Sequence, residues 1–161
     1  MMVDADELRG VMRQWATGVS LVTAQDGGRP HGMTVSSFTS LSLEPPLVLI
    51  SLENNARTHR MVIESGAFAV SILDAAQEDL ADRFAGRIPD GEDRFAGLAY
   101  ETAQTGSPLP QGALAFLDCE VVSAQPAGTH TVFIGQVVAS GVRPGGQPLL
   151  YYNRNYRRLA G

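Results

Sequence analysis

The chain contains no lysine: all twelve of its cationic side chains are arginine. That excludes a lysine-bearing P-loop, a pyridoxal Schiff base and a lysine nucleophile together. Cysteine is nearly as scarce. Cys119 stands alone, so no internal disulfide or CxxC pair is possible, and a reducing, cytoplasmic setting is expected. No apolar run approaches the roughly 20 residues that cross a bilayer. The first ten residues, MMVDADELRG, are acidic where a signal peptide would be basic and then apolar, so no membrane partner is expected. Positive charge is outnumbered, 12 to 17, and no basic run interleaved with aromatics precedes the C-terminus, which argues against nucleic acid as a partner. No Ser-His-Asp order, paired-carboxylate pattern or GxGxxG fingerprint stands out, and the three histidines lack metal-ligand spacing, so no metal site is expected.

What is present reads as a single domain over residues 1–161, with 44% hydrophobic and 18% charged residues, enough for one core. Residues 4–16 place Leu8, Val11, Met12 and Trp15 at helical spacing behind a capping-box pair, Asp4 and Glu7. Gly18 ends that helix. VSLVTA (19–24) and the stretch from His31 to Ser42 form the arms of a hairpin around QDGGRP. LVLISL (47–52) and AFAVSIL (67–73) read as strands, with a short helix between them closed by Gly66. A second short helix lies around Leu80 and Phe84, in a segment where DRFAG occurs twice; two copies are too few for a solenoid, and the repetition reads as coincidence. ALAFLDCEVVSA and THTVFIGQVVAS are two long strands around the turn QPAG, and GVRPGGQPLLYY reads as a further hairpin. In the second long strand, alternation puts His130, Val132, Ile134 and Gln136 on one face. Many strands, few helices and hairpin connections imply a mainly β fold, a closed or nearly closed antiparallel barrel.

The segment HGMTVSSFTSLS carries six hydroxyls, at Thr34, Ser36, Ser37, Thr39, Ser40 and Ser42. Short hydroxyls and nearby main-chain amides suit a planar polar ligand, but the same composition also suits a strand face in water. NNARTH (54–59) offers amide, guanidinium and hydroxyl groups at a helix mouth, a pattern for gripping phosphate; an Asn-rich turn with a capping threonine is the alternative. His130 beside the turn PAGTH reads either as a hydrogen-bonded structural residue or as a site group. The C-terminal YYNRNYRRLAG is either a solvated tail or a segment folded over a ligand.

Taken in order and spacing, VMRQWATGVSLVTA, RPHGMTVSSFTSLSLEPPLVLISL, NNARTH, LADRFAG, DRFAG, LDCEVV, GTHTVFIGQVV and PLLYYNRNYRRL resemble the short-chain flavin reductase family, the reductase components of two-component flavin-dependent monooxygenases. The resemblance spans essentially the whole chain. It implies an FMN-binding, Greek-key antiparallel split β-barrel with a few short peripheral helices. It also implies a homodimer that uses NADH or NADPH to reduce FMN or FAD and releases the product to a separate monooxygenase. By the same resemblance Thr34, Val35, Ser36 and Ser37 lie along the isoalloxazine and ribityl chain, and Ser51, Leu52, Asn54, Ala56, Arg57 and Thr58 lie near the ribityl and phosphate groups. His130 then falls on the nicotinamide side as the catalytic-site histidine. Main-chain N–H groups of residues 35–37 would bond the ring, and Arg57, assisted by Thr58, the phosphate. Two positions depart from the family pattern. Thr129 replaces the aspartate before the histidine, and Trp15 replaces a phenylalanine of the first helix, a change expected in the core. A non-catalytic flavin carrier or sensor, or an oxidoreductase with tightly held flavin and its own small substrate, are the alternatives on the same fold.

Overall fold

The computed structural model describes residues 1–160. Twelve strands dominate it: β1 (Thr17–Gly18), β2 (Ser20–Asp26), β3 (Arg29–Val35), β4 (Phe38–Leu43), β5 (Pro46–Glu53), β6 (Ala67–Ile72), β7 (Tyr100–Thr102), β8 (Pro108–Pro110), β9 (Ala115–Ala127), β10 (His130–Val142), β11 (Leu150–Tyr152) and β12 (Asn155–Arg157). Three helices accompany them, α1 (Ala5–Met12), α2 (Arg57–Ser65) and α3 (Glu78–Asp82); α3 runs into a π-helical turn over Arg83–Arg87.

Seven strands form one antiparallel sheet in the order β3-β2-β6-β9-β10-β5-β4. Its two outermost strands, β3 and β4, are consecutive in the chain and joined only by Ser36 and Ser37. Two residues reach about 10 Å when extended, so the sheet must curl until its edges meet. It closes into the expected split barrel, with Ser36 and Ser37 at the seam. The hydroxyl-rich segment is therefore not one hairpin arm. It breaks at the seam into the end of β3 and the whole of β4.

β2 shows how the layers stack. Val22 and Ala24 face the barrel interior with Val48, Ile50, Leu52, Phe68, Cys119 and Phe133, while Val19 and Leu21 face a second cluster with Leu73, Ala81, Phe84, Phe95 and Leu149. Both faces are covered, which is why residues 20–24 are all buried. At Gly135 of β10 an added Cβ would lie 2.6 Å from the Phe68 ring and 2.9 Å from Cys119 Cβ, so glycine is what lets that phenylalanine fill the barrel. Burial pushes the Cys119 thiol up to about 12, leaving it an apolar core group.

Local signals explain most element ends. Asp4 caps α1 through the Asp6 and Glu7 N–H groups, and Glu7 returns a bond to Asp4 N–H. Gly66, at φ +69°, terminates α2. Four expectations are corrected. Trp15 is 67% exposed rather than in the core, and Leu8, Val11 and Met12 are exposed with it. The long hairpin turns at Gly128 and Thr129, pairing His130 with Ala127, so QPAG falls mostly within β9. LLYY pairs with β1 and β12 instead of folding back on β10. Asn153 and Arg154, at φ 48° and 64°, make its turn, and the C-terminal segment is thus a packed hairpin with Tyr156 against the second cluster. The β7–β8 hairpin has no counterpart in the sequence reading. Among the described residues, no helix is long and apolar enough to cross a membrane.

Candidate active site

The seam supplies the first part of the site. Ser37 Oγ donates to the Ser51 carbonyl at 2.7 Å and the Ser37 carbonyl accepts from Ser51 N–H at 3.1 Å, so β4 and β5 are locked together at this point. The N–H groups of Ser36 and Ser37 find no acceptor among the described residues. Ser36 is exposed and borders a groove of about 320 Å³ with Trp15, Thr17, Gly18 and Phe38. Val35 and Leu52 point their side chains into the barrel core, so only their main chains face outward. The Thr34 hydroxyl donates to the Ala81 carbonyl at 2.6 Å, which ties β3 to α3.

The second part is the start of α2. Ala56 occupies the N-cap position and has no side-chain acceptor, the poorest arrangement for satisfying the first N–H groups of a helix. The acceptor comes from a distant turn: Asp90 Oδ2 lies 2.9 Å from Arg57 N–H. The other carboxylate oxygen is 3.6 Å from His31 Nε2 and 3.8 Å from an Arg94 guanidinium nitrogen. Met33, Thr34, Glu53, Ala56, Phe84, Asp90 and Arg94 border a cavity of about 410 Å³ here. Arg94 is buried and donates to the carbonyls of Ile88, Gly32 and Phe84. Its position depends on Gly32, where a Cβ would come within 2.9 Å of Val22 O and Thr23 Cγ2. His31 is fully buried. Its Nδ1 pairs with Thr58 Oγ1 at 2.9 Å, while Nε2 has no hydrogen-bond partner. Burial lowers its pKa to about 4; the Asp90 charge opposes that shift, and those of Arg94 and Arg57 reinforce it.

Two predicted phosphate groups thus separate. Arg57 stands at the helix start with its side chain half-buried and in no ion pair among the described residues. The Thr58 hydroxyl is fully buried and paired with His31 Nδ1.

The third part is the β9–β10 hairpin tip. His130 is exposed, with Nδ1 2.9 Å from the Thr129 hydroxyl, and lies cross-strand from Glu53 on the cavity wall. Asn54 spends its whole amide on this hairpin: Nδ2 donates to Gly128 O at 3.3 Å, and Oδ1 accepts from Thr131 Oγ1 at 2.8 Å. Because the Thr131 hydroxyl donates there, its contact with His59 Nε2 at 2.8 Å must be one it accepts, which fixes the proton of His59 on Nε2. Asn54 thus clamps the barrel rim.

Residues 12–160 match the flavin reductase like domain. The chain belongs to the flavin reductase like family. It is 40% identical to the FMN reductase (NADH) RutF 2 of Methylorubrum extorquens over 157 residues, covering 98% of this chain and 91% of that protein. The reductase subunit HsaB of a flavin-dependent monooxygenase from Mycobacterium tuberculosis is 36% identical, with 96% and 82% covered. The solved structure of the NADH:FAD oxidoreductase SgcE6 of Streptomyces globisporus C-1027 superposes with a TM-score of 0.92 at 38% identity, over 100% of this chain and 98% of that one.

A flavin nucleotide suits the donors present. The unpaired N–H groups at the seam match the carbonyl edge of an isoalloxazine, and an uncapped helix start beside Arg57 matches a phosphate. Sequence reasoning missed His31, Asp90 and Arg94. Arg94 sits in the second DRFAG copy, and the copies interlock: Arg83 donates to the carbonyls of Arg94 and Ala96, and the rings of Phe84 and Phe95 meet edge to face at 4.9 Å. The repeated motif was the available signal.

Proposed function

We propose that the protein is an NAD(P)H-dependent flavin reductase that takes FMN or FAD as acceptor and NADH or NADPH as donor and supplies reduced flavin to a separate monooxygenase. The observation that carries this reading is the pair of free N–H groups of Ser36 and Ser37 at the barrel seam, together with an α2 start that has no side-chain cap of its own, in a chain matched along its length by flavin reductases. When bound, the two cofactors supply the redox chemistry themselves, a hydride passing from nicotinamide to flavin. The protein's part is alignment. Ser36 and Ser37 N–H groups hold the ring edge, Arg57 and the helix start hold the phosphate, and His130 at the rim lies on the nicotinamide side. The Thr129 hydroxyl takes the place of the missing carboxylate in orienting the His130 ring.

We also place this function in a homodimer. Met1, Met2, Leu8, Val11, Met12 and Trp15 form an exposed apolar strip, and Trp15 borders the Ser36 groove, so a second copy covering it would also wall the ring site. The acting compartment is the cytoplasm, where reduced nicotinamide is available. Steady-state oxidation of NADH and NADPH with free FMN and FAD tests the activity, with turnover expected only when both partners are present. Absence of flavin-dependent turnover with every pairing would reject it.

A further inference from the structure

The α2 start holds an anion that belongs to the protein. Ala56 cannot cap the helix, and the carboxylate in the vacant position arrives from the turn at residues 89–93, where Glu92 N–H bonds the Pro89 carbonyl. The fit is incomplete. Asp90 makes one good hydrogen bond, 2.9 Å from Arg57 N–H, and stops short of the two other nitrogens that face it, at 3.6 Å from His31 Nε2, which carries the ring proton when the Thr58 hydroxyl donates to Nδ1, and 3.8 Å from Arg94. His31 Nε2 is therefore a fully buried polar atom aimed at this position with nothing to bond, an arrangement that costs free energy unless another state satisfies it. A planar carboxylate with two oxygens cannot reach a helix N–H, an imidazole and a guanidinium at once; a tetrahedral group with three terminal oxygens is better matched to donors spread in this way. The Asp90 side chain is also 45% exposed, and its one hydrogen bond to the α2 start is part-buried.

We propose that Asp90 is a resident stand-in for phosphate: the phosphate of an incoming flavin nucleotide displaces it from the α2 start, and Asp90 thereby sets how strongly the site favours phosphorylated over unphosphorylated flavin. The inference rests on the flavin reductase reading. Its functional sense follows from mass action. A tethered anion that returns to the site lowers the apparent affinity by the fraction of time it occupies it, which hinders rebinding and so favours net transfer of the reduced product to a partner. It also sets a negative charge beside Arg94 and the helix start whenever the site holds no nucleotide.

Two full-length variants, Asp90→Ala and Asp90→Asn, test this by titration with FMN and with riboflavin, which has the same ring and no phosphate. For a plug closed nine-tenths of the time, Asp90→Ala tightens FMN about tenfold and leaves riboflavin within about twofold; Asp90→Asn, which keeps an acceptor without the charge, falls between. Equal FMN-to-riboflavin ratios in variant and wild type overturn the proposal. So does a Glu53→Gln variant that tightens FMN as much as Asp90→Ala does, because loss of any cavity carboxylate would then suffice. If the wild type binds neither flavin, the flavin reductase reading fails instead. The stand-in is then decided by titrating inorganic phosphate while following the His31 imidazole nitrogen resonances. They shift at lower phosphate in Asp90→Ala if the position is one that an anion can share, and identical titrations overturn it.

Discussion

The start of α2 and the tip of the β9–β10 hairpin are neighbours in space, bridged by the end of β5 where Glu53 pairs with His130 and Asn54 N–H bonds the Thr129 carbonyl, yet they are built on opposite rules. At the hairpin tip polar side chains are tied to one another and to the main chain: Asn54 to Gly128 and Thr131, Thr131 to His59, Thr129 to His130. At the helix start the donors outnumber what meets them. Ala56 caps nothing, His31 Nε2 bonds nothing, and the Arg57 guanidinium is in no ion pair among the described residues. Paired polar groups hold a shape, and unpaired ones hold a place for something else. The two histidines carry the same contrast, since His59 has its Nε2 proton bonded to Thr131 and His31 is left half satisfied.

The largest way to expose that difference is acid. His31 titrates near 4 in the folded protein against an ordinary value of 6.5. Between those limits the unfolded chain takes up a proton that the folded one refuses, so stability falls as pH drops from about 6.5 toward 4, by roughly 3 kcal/mol in all. Above 6.5 the ring is neutral in both states and contributes no slope. Urea unfolding at pH 7, 5 and 4 should show this loss, and His31→Gln should remove most of it. The remainder belongs to His59, whose pKa burial also lowers. A His31→Gln protein with the full wild-type slope would mean that the buried ring is not what the acid attacks.

Arg57 should give the next effect, and on ligand rather than stability. A charge-assisted phosphate contact is worth about 1.5–3 kcal/mol, so Arg57→Ala should weaken FMN binding by roughly 10- to 150-fold while leaving the urea midpoint close to wild type. Unchanged FMN affinity would remove Arg57 from the site.

The same contrast explains what was legible in the sequence. Paired structure leaves local marks: the Asp4–Glu7 capping box, Gly66 ending α2, and the Asp-Gly-Gly of the first hairpin were readable because each acts within a few residues. The match of Thr34–Ser37 and NNARTH to a known motif set pointed to the barrel seam and the start of α2. Which groups are free there was not readable. Thr58 and Asn54 carry the right functional groups, and only the fold shows them committed to His31, Gly128 and Thr131. Asp90 meets Arg57 across 33 positions, and no short-range pattern announces such a contact. Trp15 follows α1 rather than lying on it, and it is exposed together with Leu8, Val11 and Met12; helical spacing tells which side is apolar and not what covers it.

The smallest effect should come from the paired side. Thr131→Val keeps the shape of a nearly buried side chain and removes the hydroxyl that donates to Asn54 and accepts from His59. Two partners then lose a hydrogen bond at the barrel rim, where Asn54 retains its bonds to the hairpin through its N–H and Nδ2 and water can reach its exposed amide. The expected loss is about 1–2 kcal/mol, read as a lower urea midpoint with the slope of the transition unchanged. FMN affinity should move far less than in Arg57→Ala, because the hydroxyl holds the rim and donates to nothing in the cavity. If Thr131→Val instead weakened FMN as much as Arg57→Ala while sparing stability, the Thr131 hydroxyl would belong to the flavin site, and the division between a finished rim and an unfinished helix start would not hold.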